Sequence, residues 1–149
     1  MTRPLRKFAR EISVVIRIAG WLCFYECLAG LILQLSAVVR SGSLQPADAT
    51  IARRPHTFKV LGHRVRLNGE LFGGAGEIYG RSVYFAINGF ELHEGDIVFD
   101  LGANYGVFTT LAGCVGSKAV AVDAQRHFLR QIGFAVWLVG NDQNVVGCI

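Results

Sequence analysis

The sequence predicts an α/β fold with about three parallel strands and their connecting helices, preceded by an N-terminal helix and a small β cover. Three observations lead there. Residues 97–99, Ile-Val-Phe, form a short run bounded by Gly95 and Gly102, which reads as a buried strand ending at a glycine turn. Val107, Phe108, Leu111, Ala112 and Val115 recur at helical spacing, and Gly113 and Gly116 mark where that helix weakens and stops. Residues 119–122 are a second all-apolar strand. Strand, tight turn, helix and strand in fewer than about 30 residues make a βαβ unit, whose right-handed crossover leaves its strands parallel.

The turn between the first strand and the helix carries the chemistry. Gly102 permits backbone angles that a side chain forbids, and Gly106 lets the first helical turn approach whatever sits above the strand end. Exposed N–H groups at that helix start favour an anionic group. Asp123 closes the second strand, 23 positions after Asp100, where a carboxylate can accept hydrogen bonds from both hydroxyls of a ribose. A dinucleotide fingerprint needs Gly-x-Gly-x-x-Gly, because its second glycine lets the backbone touch a pyrophosphate. Here the pattern is Asp-x-Gly-x-Asn-x-Gly: Asn104 stands where that glycine belongs, and Asp100 repels a pyrophosphate and attracts a cation. A ligand with an ammonium, a carboxylate and a ribose but no phosphate satisfies both facts, and S-adenosyl-L-methionine is such a ligand.

Residues 98–106, Val-Phe-Asp-Leu-Gly-Ala-Asn-Tyr-Gly, followed by 121–125, Ala-Val-Asp-Ala-Gln, resemble the FkbM family of S-adenosylmethionine-dependent methyltransferases. The similarity runs from about Gly89 to the C-terminus. It implies a partial Rossmann-like class I methyltransferase sheet and a cofactor site at Asp100, Gly102, Ala103, Asn104, Tyr105, Gly106 and Asp123. It also implies methyl transfer to a hydroxyl of a sugar or secondary metabolite. Plainer roles stand beside these: Asp100 and Asp123 as capping carboxylates, Asn104 as a turn residue tolerant of left-handed angles, and Tyr105 as packing. No Ser-His-Asp or Cys-His constellation can be assembled, and no residue can be nominated as the base for the acceptor. A class I core has seven strands where this sequence supplies three, so the chain reads as the N-terminal portion of a longer enzyme, with the acceptor half missing. Such a remnant leaves an open sheet edge and is expected to be poorly soluble. A nucleoside- or dinucleotide-binding module without catalysis, or a membrane-associated remnant, is the alternative.

The chain has 149 residues, 52% of them hydrophobic and 17% charged, enough for one core and more apolar than an average soluble domain. The net charge of +4 is concentrated towards the N-terminal half, but no aromatic-and-basic recognition motif accompanies it, so no nucleic-acid partner is expected. Cys23, Cys27, Cys114 and Cys148 show no Cys-x-x-Cys spacing and read as small core residues in a reducing compartment. His56, His63, His93 and His127 are scattered without partners at ligand spacing, and no metal site is expected.

Residues 1–40 form a basic start followed by an almost unbroken apolar stretch. Its longest charge-free runs, 18–25 and 27–39, are shorter than the ~18–20 residues of a spanning helix, and Glu26 lies between them. Three placements remain open: an accessory helix packed on the catalytic domain, a helix lying on the inner membrane surface in peripheral contact, or a true span. A secretory signal is imitated poorly, which leaves a cytoplasmic or inner-membrane-associated protein.

Residues 41–94 are expected to form a linker over 41–55, a hairpin over 57–67 around Gly62-His63, an irregular glycine-rich loop over 69–80 and an edge strand or extended cover over 82–88. Glu77 in that loop is positioned to meet a cofactor ammonium or to be a solvated carboxylate. Residues 95–149 are the truncated cofactor-binding domain, with a further helix over 124–139 and a third strand over 144–149.

Overall fold

Residues 3–85, 89–125 and 128 are described by the structure, a computed structural model. Helix α1 (Arg3–Leu33) is broken at Gly20, where φ is 81° and ψ 179°. Only glycine adopts such angles readily, so the residue makes a sharp bend between two helical arms. The C-terminal arm turns its small residues Cys23, Cys27 and Gly30 inward, and leaves Trp21, Leu22, Tyr25, Leu28, Ile32 and Leu33 exposed. By length and composition the stretch Ala9–Leu33 is apolar enough to cross a membrane, although 28% of its most apolar window is buried against the rest of the chain.

Helix α2 (Leu35–Ser41) ends at Gly42 in a left-handed cap. The expected linker then departs from expectation: it contains helix α3 (Gln45–Ile51), which starts with Pro46 in its first turn and buries Ala47, Asp48 and Ile51. The hairpin forms as expected from β1 (His56–Val60) and β2 (His63–Leu67), antiparallel, with Val60 opposite His63. Leu61 and Gly62 both take positive φ, the geometry of a tight two-residue hairpin turn. Alternation buries Phe58, Val60, Val65 and Leu67.

The glycine-rich segment is more regular than a loop. Wide-turn bonds from Ala75 N to Glu70 O and from Arg81 N to Gly76 O produce a π-helical segment, Gly76–Gly80. A side chain at Gly80 would collide with Val14 Cγ1, so this segment sits hard against α1. Where an extended cover was expected, Val83–Phe85 is a single 3₁₀ turn, and 86–88 lie outside the described residues.

The βαβ unit is present: β3 (Ile97–Leu101), α4 (Val107–Val115) and β4 (Lys118–Val122), with the strands parallel and Asp100 opposite Ala121. The chain is thus mixed α/β with two separate two-stranded sheets, one antiparallel and one parallel. A three-stranded parallel sheet is not observed among the described residues. The expected strand at 144–149 and, apart from Phe128, the helix at 124–139 lie outside them.

One apolar cluster joins the three segments. Val14, Val15 and Ile18 of α1, Phe58 and Leu67 of the hairpin, Leu71 and Phe72 of the cover, and Val107 and Leu111 of α4 pack together. Asp48, 3% exposed, fastens the cover to this core. Its oxygens accept N–H bonds from Leu71 at 2.6 Å, Phe72 at 3.1 Å and Gly73 at 2.8 Å. Among the described residues nothing covers the outer face of β3 in this way, and Ile97, Phe99 and Leu101 are each about two-thirds exposed or more.

Candidate functional site

The bend after β3 owes its shape to three residues with positive φ: Gly102 at 80°, Asn104 at 54° and Gly106 at 73°. Asparagine is among the few side-chain-bearing residues that accept this region, so Asn104 is a turn residue whatever else it does. Gly102 and Asn104 are exposed, Tyr105 is half-buried, and Ala103 and Gly106 are buried. The bend is therefore open towards solvent.

Its backbone donors are engaged within the chain. Gly102 N and Ala103 N donate to Val122 O at 2.8 and 3.0 Å, and Gly106 N donates to Ala103 O at 2.7 Å. The expected anion at the helix start is supplied by the protein itself. Asp100 Oδ2 accepts the Thr109 N–H at 3.0 Å and the Thr109 hydroxyl at 2.6 Å, which places a carboxylate over the first turn of α4. A ligand phosphate at this turn would meet that charge.

Asp123 stands just past the end of β4, at the same end of the sheet as Asp100. Its Oδ2 accepts Asn104 N at 2.8 Å and its Oδ1 accepts Gln125 N at 2.7 Å, so it ties the bend to the second strand. Burial is the main cause that raises the Asp100 pKa; the Thr109 hydrogen bonds pull it down, and the nearby Asp123 carboxylate pushes it further up.

A cavity of about 620 Å³ opens over this end of β3. Asp100, Gly102, Ala103, Asn104 and Tyr105 lie on its wall, whereas Gly106 and Asp123 do not. The cover also contributes to the lining, through Glu70, Gly74 and Ile78, as does Tyr84. Glu77 is absent from it. The Glu77 carboxylate pairs with Arg81 at 3.1 Å, so the acid that the cover brings to the cavity is Glu70. Burial raises the Glu70 pKa, and Asp48 and Glu77 add to the effect.

No family model matches the chain, and no curated protein or solved structure matches it.

Glu70 and Tyr84 escaped the sequence reading because nothing in their spacing links them to the bend. Only the π-helical path of the cover and the Asp48 clamp bring Glu70 to the cavity that Asp100 lines. An acid immediately before a glycine-rich segment was the one signal present, and it does not distinguish Glu70 from Glu77.

Proposed function

We propose that the cavity at the end of β3 binds S-adenosyl-L-methionine, and that the chain provides the cofactor site of a methyltransferase resembling the FkbM family. The acceptor would be a hydroxyl of a sugar or secondary metabolite. One observation carries this reading: an open bend on a βαβ unit, with Asp100 and Glu70 both lining a cavity within the ~300–1,000 Å³ of small-molecule sites.

Among the described residues the wall carries two carboxylates and no cationic side chain, a balance that favours a positively charged ligand. Backbone donors already closed on Val122 and Asp123 disfavour a pyrophosphate. When bound, the cofactor supplies a methyl group on an already activated sulfonium, so no covalent nucleophile is needed. The protein's part is to hold that cation in one orientation, with Asp100 fixed by Thr109 and Tyr105 braced by the Phe128 ring at 5.0 Å. Asp123 keeps the bend in place by accepting the Asn104 and Gln125 N–H groups from behind the wall.

Calorimetry with S-adenosylmethionine, S-adenosylhomocysteine and NAD tests the reading. Binding of the first two, abolished by Asp123→Ala and not matched by NAD, is expected. Preference for NAD, or no binding of any of the three to folded protein, refutes it.

A peripheral membrane contact through residues 1–40 rests on a separate observation. The outward row Trp21, Leu22, Tyr25, Ile32 and Leu33 places aromatic and aliphatic side chains together on one exposed surface of α1. Co-sedimentation with anionic vesicles, lost on Trp21→Ser with Leu22→Ser, is the expected result; unchanged sedimentation of that variant removes the reading.

A further inference from the structure

Among the described residues, one group of cysteine, histidine and acidic side chains converges on a point away from the cavity. Cys23 and Glu26 come from the C-terminal arm of α1, and His56 opens β1. Their donor atoms all lie within 4.8 Å of one another. His56 Nδ1 is 3.4 Å from Cys23 Sγ and 3.2 Å from Glu26 Oε2. Cys27 lies one turn further along the same buried face of the arm.

The histidine tautomer is set by its surroundings. Nε2 is 2.9 Å from the carbonyl oxygen of Ile51, which can only accept, so Nε2 carries a proton. Nδ1 is left to present a lone pair towards the sulfur and the carboxylate. A backbone carbonyl holding the second ring nitrogen is the arrangement that orients histidine ligands in metal sites. A single proton at the centre satisfies one pair among three lone-pair donors. A divalent cation satisfies all three.

The spacing matches. Bonds of about 2.0–2.1 Å to nitrogen or oxygen and about 2.3 Å to sulfur set tetrahedral donor–donor edges of roughly 3.3–3.8 Å. The two separations from Nδ1, 3.4 and 3.2 Å, fall at or just below that range before any adjustment. We propose that Cys23, Glu26 and His56 form a binding site for a zinc-class divalent cation that pins α1 to the start of β1. A thiolate and an imidazole select a borderline-soft ion over magnesium or calcium. Cys23, Cys27 and His56 are buried, while the half-exposed Glu26 gives the ion a path from solvent. This site is independent of the methyl-transfer reading.

Titration of the reduced full-length chain with Co(II) tests it. One equivalent should develop thiolate-to-cobalt absorption in the near ultraviolet and tetrahedral ligand-field bands, and Zn(II) should displace them. Zn(II) should also raise the melting temperature, and a chelator should reverse the rise. Cys23→Ser and His56→Ala should lose the thiolate absorption or weaken binding at least 100-fold, and Cys114→Ser should leave it intact. Glu26→Gln, at a half-exposed position that tolerates change, should weaken binding about 10-fold and keeps the test open if the buried variants fail to fold. Absence of thiolate absorption from the folded, reduced wild-type chain overturns the proposal. So does binding that Glu26→Gln and Cys23→Ser leave unchanged.

Discussion

Replacing Asp48 with alanine should loosen the wall of the cavity that carries Glu70. The wild-type carboxylate receives the N–H groups of Leu71, Phe72 and Gly73. Without it, Leu71 and Phe72 keep two buried donors with no acceptor, whereas Gly73 is only half-buried and can turn to water. Each orphaned buried donor costs about 1–3 kcal/mol, so the gross loss is roughly 2–6 kcal/mol. Part of it is offset because the carboxylate itself is held against a desolvation penalty, the first cause of its raised pKa. The net expectation is a loss of about 2–4 kcal/mol. Asp48→Asn, which keeps one acceptor oxygen, should cost about half as much. Urea unfolding followed by far-ultraviolet circular dichroism reads this as a fall in midpoint at unchanged slope. A change under about 0.5 kcal/mol for the alanine variant would show that apolar packing of Leu71 and Phe72 holds the cover unaided.

Three further outcomes follow from the same geometry. Asp48, Glu70 and Asp100 all have raised folded-state pKa values, so the folded chain binds protons more tightly than the unfolded one. Their stabilising contribution is complete below the unfolded carboxylate pKa of about 4 and is lost as pH rises through the folded values. Melting temperature should therefore increase from pH 7.5 towards about pH 5, opposite to the trend for salt-bridged carboxylates; a decrease contradicts the assignment. Thr109→Val removes the 2.6 Å hydroxyl bond to Asp100 at nearly constant shape and should destabilise by about 1–2 kcal/mol in the same urea assay. Gly80→Ala drives a methyl into Val14 and should cost about 1–3 kcal/mol, whereas Gly62→Ala, with no atom within 4 Å, should cost only the backbone strain of about 1 kcal/mol.

The βαβ unit and the hairpin were legible because their apolar periods and glycine stops are local. Gly102 and Asn104 announced their positive φ values by residue type alone. The helix at Gln45–Ile51 was missed because it has only seven residues and its burial depends on contacts with α1 and the cover. Proline in its first turn and Asp48 were signals of a helix start, but they were outweighed by the Ser, Gly and Pro content around them. Cys23 and His56 are 33 residues apart, and Glu26 looked like an intruder in an apolar run. Its role becomes visible only when α1 is laid against β1, because ligand spacing along a chain is no guide when donors come from different elements.

That bend also limits how far α1 can reach in one direction. At 1.5 Å per residue, the arms of about 17 and 13 residues on either side of Gly20 are roughly 26 and 20 Å long, each less than the ~30 Å hydrocarbon thickness. In its folded shape the segment is an elbow rather than a rod, anchored on one side by Glu26 and His56. To traverse a bilayer as one straight helix, Arg3–Leu33 would have to straighten at Gly20 and draw Glu26 away from His56.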